Sequence, residues 1–126
     1  MESAKDEFGR WGEKLASRFL KRQGYRVLAR NVALPVGELD IVAREGEELV
    51  FVEVKTRRSE EFGGPLGAVG AAKQRKIIQA ARCYLAAHRL GECPCRFDVV
   101  GVTRGKEGED PEVELVRGAF RVGGRQ

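Results

Sequence analysis

Apolar and polar positions repeat along this chain with two different periods, and the switches between them mark its elements. Residues 5–23 repeat at helical spacing: Phe8, Trp11, Gly12, Leu15, Ala16, Phe19 and Leu20 form one stripe, and Gly24 is placed to end the helix. Arg10, Lys14, Arg18 and Lys21 lie outside the stripe, and Glu13 sits at its edge. Residues 25–33 read as a first strand. Two strand-like runs follow, 37–43 and 49–55, separated by the polar, glycine-containing Arg44-Glu45-Gly46-Glu47-Glu48, which reads as a hairpin turn. After a basic, glycine-rich connection (56–70), residues 71–88 predict a second helix. Val69, Ile77, Ala80 and Tyr84 make its buried line, and Lys73 falls on that line one turn before Ile77. Residues 96–102 and a short edge strand, 112–116, complete the pattern. The order α-β-β-β-α-β-β predicts an α/β fold, a mixed sheet of about five strands flanked by a helix on each face.

The two hairpin runs carry the chemistry. With Gly46 and Glu47 as the loop, Glu45 faces Glu48, Asp40 faces Glu53, and Glu38 faces Lys55. Leu39, Ile41 and Ala43 then meet Val54, Val52 and Val50 on the opposite face, and a one-residue slip would scramble that sorting. Two facing carboxylates cost roughly 0.2–1 kcal/mol even when solvated. A hard divalent cation removes that cost, because Mg²⁺ and Mn²⁺ take one or two carboxylates together with waters and phosphate oxygens. Lys55 beside the acids would stabilise charge on a phosphate or orient an attacking water. A plain salt-bridge ladder, with Lys55 on Glu38, is the alternative. At the helix edge Glu13 either reaches the rim of this cluster or pairs with a neighbouring base. Lys73 either snorkels or points into the polar face, with Gln74 beside it.

Composition narrows the partners. In 126 residues, 23 Lys and Arg stand against 19 Asp and Glu, a net charge of +4, and 42% hydrophobic content supports a real core. Acids gather in the hairpin and in the 105–114 loop; bases gather at Lys21-Arg22, Arg57-Arg58, Lys73 to Lys76 and the C-terminal tail. A basic surface around an acidic pocket suits a polyanion held over a metal. The chain shows neither a secretory segment nor a run long enough to span a membrane, so a cytoplasmic protein without a membrane partner is expected. One domain is expected over residues 1–120, with 121–126 as a tail. Cys83, Cys93 and Cys95 are odd in number, which argues against a disulfide framework. Their spacing with His88 matches no usual zinc pattern. Asp98 is expected to pair with an arginine.

The ordered set Gly12-Glu13, Gly24-Tyr25, Gly37-Glu38-Leu39-Asp40-Ile41-Val42-Ala43, Leu49 through Arg57, Phe62-Gly63-x-Pro65, Ala68-Val69, Lys73 and Arg96-Phe97-Asp98-Val99-Val100 resembles the bacterial YraN-type family of endonuclease-like proteins. Its D…E-x-K core is similar to that of restriction-endonuclease-like nucleases, archaeal Holliday-junction resolvases among them. The resemblance implies a restriction-endonuclease-like fold and a Mg²⁺- or Mn²⁺-dependent nuclease hydrolysing phosphodiester bonds in DNA, branched or damaged DNA being the expected substrate. It implies Glu13, Asp40, Glu53 and the backbone carbonyl of Val54 as metal ligands, and Asp40, Glu53 and Lys55 as the catalytic group. Glu38 has no firm equivalent in the resolvase pattern and is auxiliary. Arg57, Arg58, Lys73 and Gln74 are expected to hold flanking nucleic acid, DNA before RNA. Dimerisation follows by analogy with resolvases. The alternative is a non-catalytic nucleic-acid-binding or adaptor protein that keeps the nuclease-like fold.

Overall fold

The computed structural model describes residues 3–58 and 68–121. The elements run α1 (Ala4–Arg22), β1 (Arg26–Leu34), β2 (Gly37–Glu45), β3 (Glu48–Arg57), α2 (Ala71–Ala87), β4 (Cys95–Thr103) and β5 (Glu112–Phe120). This is the α-β-β-β-α-β-β order that the periodicity predicts. Phe62-Gly63-Gly64-Pro65 and residues 122–126 lie outside the described residues.

Local chemistry sets the helix limits. The Ser3 hydroxyl accepts the Asp6 amide at 3.1 Å while the Asp6 side chain returns to Ser3, a reciprocal cap at the α1 start. At the far end Gly24 takes a left-handed φ of +97°, where a Cβ would be strained.

The strands form one sheet in the order β1-β2-β3-β4-β5. All neighbours are antiparallel except β3 and β4, which run parallel and are joined by the α2 crossover such pairs require. α1 covers one face over Ala16, Leu20, Ile41, Val50 and Val100; α2 covers the other over Val42, Phe51, Ile77, Tyr84 and Phe97. Buried on both sides, β4 does not alternate: Phe97 through Thr103 are all buried, Asp98 included.

The hairpin register is the expected one from Glu45↔Glu48 to Ile41↔Val52, where pairing between β2 and β3 stops. From there β2 continues only against β1, to Leu34↔Gly37, and β3 only against β4, to Arg57↔Thr103. Two expectations need correction. Leu39 packs in the α2-side core and not with Ile41 and Ala43, because strict alternation ends at Asp40, where the β2–β3 ladder ends. β5 reaches Phe120, well past residue 116, since Phe97↔Phe120 and the Phe97–Phe120 ring stack (4.8 Å) give its second half a buried anchor.

Candidate functional site

The end of the β2–β3 ladder is where the acids meet. One step past the last pair, the Asp40 side chain replaces the missing backbone partner: its Oδ2 accepts the Val54 amide at 2.8 Å. The half-buried Asp40 carboxyl therefore lies on β3 beside Glu53. Burial, then the Glu53 charge, then Glu13 push its pKa up to about 7; the Val54 amide only partly offsets them.

Glu13 comes from α1 and acts on the same group. Gly12 lets it do so. A Cβ at residue 12 would stand 2.1 Å from the Thr56 Oγ1, so the helix backbone rests directly on β3. Burial raises the Glu13 pKa, and the charge of Glu38 adds to that; the Asn31 side chain and the Arg10 and Arg30 charges oppose it. Glu13 Oε1 is nonetheless buried with no hydrogen-bond partner among the described residues. Asn31 holds a left-handed φ of +52°, a conformation asparagine tolerates better than most residues. Neither the Gly12–Thr56 contact nor Asn31 is expected from periodicity. The available signals are a glycine inside an apolar helix stripe and an asparagine inside a strand.

The lysines divide differently from the sequence expectation. Lys73, at the start of α2, places its ammonium 3.1 Å from Glu53 Oε2, and the Glu53 charge holds its pKa above the ordinary lysine value. Of its two expected positions it therefore takes the one pointing into the polar face. Lys55 Nζ donates to the Ala68 carbonyl at 2.9 Å and makes no ion pair with Glu38 among the described residues. Glu38 is exposed at the rim. Gln74 Nε2 donates to the Val69 carbonyl at 2.7 Å, and Arg57 Nε to the Thr103 hydroxyl at 3.3 Å. Arg58 lies 4.7 Å over the Phe8 ring, which stacks on Trp11. Three acids from three elements are thus brought to one place. Among the described residues, though, no three Asp, Glu, Cys or His side chains close to the separation of a formed metal site.

A second acid cluster behaves in the opposite way. Asp98 is fully buried and saturated: it accepts from the Tyr25 hydroxyl (2.7 Å), Arg96 Nε (2.9 Å) and the Gly118 amide (2.9 Å). Arg96 also reaches Glu45 and Glu48, each at 2.7 Å, and Arg117 joins Glu45, so the hairpin tip is tied to β4 and β5. Asp98 pairs with an arginine as expected. The cysteines are all unpaired thiols.

Residues 12–102, which contain Glu13, Asp40, Glu53, Lys55 and Lys73, match the model of the uncharacterised protein family UPF0102. A UPF0102 protein of Syntrophotalea carbinolica is 56% identical over 116 residues, covering 92% of this chain and 93% of the relative. One from Symbiobacterium thermophilum is 50% identical over 116 residues, covering 90% and 96%. A third, from Desulfosudis oleivorans, is 46% identical over 120 residues, covering 95% and 94%. The helix that brings Glu13, the interrupted hairpin that brings Asp40 and Glu53, and these full-length likenesses agree: the chain belongs to UPF0102, the YraN-type family its sequence resembles.

Proposed function

We propose that this protein is a metal-dependent nuclease hydrolysing phosphodiester bonds in DNA, with branched or damaged DNA as its substrate. The observation that carries the reading is the frustrated acid cluster. Asp40 is half-buried against Glu53 with its pKa raised to about 7, while Glu13 presents a buried oxygen without a hydrogen-bond partner among the described residues. A fold seldom crowds part-buried carboxylates together and leaves an oxygen of one unpartnered without a use for them. Their chemistry fits a hard cation.

Glu13, Asp40, Glu53 and the Val54 carbonyl would hold Mg²⁺ or Mn²⁺. When bound, such an ion supplies a water acidic enough to attack at neutral pH and offsets charge on the phosphate. In its absence the Lys73 ammonium supplies the positive charge at Glu53. Lys55 follows Glu53 by two residues on β3 and gives up an exposed contact to the Ala68 carbonyl to meet a phosphate oxygen. Asn31 steadies Glu13 from β1, and Glu38 adds negative potential at the rim.

Purified protein incubated with four-way and forked DNA and Mn²⁺ tests this. Asp40→Asn and Glu53→Gln should each lower cleavage by about a hundredfold or more, the scale at which loss of a main electrostatic group is felt. Cleavage indifferent to both substitutions would sink the proposal. The non-catalytic reading has one observation on its side: Lys73 already neutralises Glu53. Salt-dependent DNA binding without Mn²⁺ uptake by the Asp40–Glu53 pair would favour it.

A further inference from the structure

Most of the residues that the sequence marks for gripping phosphates are occupied within the chain: Lys73 by Glu53, Gln74 by Val69, Arg57 by Thr103. A different set stands open. Lys14, Arg18 and Lys21 of α1 and Arg30 of β1 line one groove, with Ser17 and Leu28 between them. All four cations are exposed, and among the described residues no carboxylate lines the groove. Among the described residues none of the four forms a salt bridge.

The spacing concentrates this charge. Lys14 and Arg18 are four residues apart and Lys21 three further on, so three positive side chains share one helix face, a spacing at which like charges repel. An anion with regularly spaced charges relieves that repulsion. The groove's charge also reaches the acids: Arg30, in its lining, acts on Glu13.

We infer that the α1–β1 groove holds the sugar–phosphate backbone of a nucleic acid and leads it to the carboxylates. Among the described residues no aromatic side chain lines the groove, so its lining favours the backbone over stacked bases. Contacts confined to phosphates fix position without reading sequence. From Lys14 to Lys21 the helix advances roughly 10 Å, the length over which one strand of a duplex presents about three phosphates. The inference takes from the nuclease reading only that the polyanion is a nucleic acid.

Anisotropy of a labelled mixed-sequence DNA duplex, measured with EDTA across a KCl series, tests the groove without cleavage. The parent should bind with a steep salt dependence. The triple variant Lys14→Gln, Arg18→Gln, Lys21→Gln should bind more weakly, its log–log slope shallower by about 0.9 for each cation removed. The charge-matched variant Lys5→Gln, Arg82→Gln, Arg89→Gln, on exposed positions outside the groove and away from the acids, should keep the parent slope. Thermal melts confirm that both variants fold. A parent that does not bind, a groove variant with the parent slope, or equal losses in both variants overturns the inference. Cleavage with Mn²⁺ is scored separately: groove-dependent binding without cutting refutes the nuclease reading alone, and cutting without a groove-dependent slope refutes the groove alone.

Discussion

Two carboxylate clusters share this sheet, and they differ in how fully the fold answers them. Around Asp98 every acid has a donor: Tyr25, Arg96, Gly118 and Arg117 close a network binding β3, β4, β5 and the hairpin tip. Around Asp40, among the described residues, three acids share one backbone amide, one lysine and the Asn31 side chain, and an oxygen of Glu13 is left over. Burial alone does not separate the two, since Asp98 is the more deeply buried. Satisfaction does. A saturated network spends its polar groups on holding strands together, whereas an under-satisfied one keeps them available for a ligand at some cost in stability.

The sharpest way to break the comparison is Asp98→Ala. It leaves the Arg96 guanidinium and the Tyr25 hydroxyl without their buried acceptor and should cost on the order of 3–5 kcal/mol in denaturant unfolding. A loss below 1 kcal/mol would mean that the saturated cluster is not what holds this part of the sheet.

Next is Gly12→Ala, which forces a methyl into Thr56 and should destabilise by about 1–3 kcal/mol. Thr56→Ser on the same background should recover part of that loss by removing the methyl that stands 2.7 Å from the new carbon. No recovery would point to helix α1 shifting as a body, and Mn²⁺ affinity would then drop with it.

The smallest effect carries the opposite sign. Asp40→Asn removes a charge from the crowded site and, without metal, should leave stability unchanged or raise it by up to about 1 kcal/mol at pH 8. The pH dependence follows from the same group. Its pKa is about 7 folded against 3.8 in the unconstrained side chain, so the folded state binds that proton more tightly. In EDTA this contribution is present in full below pH 4 and is lost as pH rises towards 7. Asp40→Asn should flatten that slope, and melts at a series of pH values with EDTA will show it or not.

Part of this contrast is legible in the chain itself. The hairpin register follows from the sorting of Ile41, Ala43, Val50 and Val52 to one face, and the structure keeps it from Glu45↔Glu48 to Ile41↔Val52. Asp98 is legible as an acid in need of an arginine. What fails is extrapolation past Ile41, because a period-2 argument assumes that the ladder continues. The ladder stops there, and Leu39 changes face. The same limit hides the lysines: Lys55 points along the expected strand face yet bonds to Ala68, while Lys73, distant in sequence, reaches Glu53.

Read alone, the chain gives the order of helices and strands, the hairpin register as far as Ile41↔Val52, and Asp40, Glu53 and Lys55 as candidates for one site, with Glu13 added only by the family resemblance. All but Glu13 follow from local periodicity and from near-neighbour pairing, both readable at short range. Only the tertiary structure decided that the carboxylates meet where β2 and β3 part, that Gly12 lets Glu13 approach, and that Arg96 answers four partners at once. Those outcomes depend on how α1, α2 and β5 dock on the sheet. Docking is set by the packing of side chains far apart in the chain, which no periodicity records.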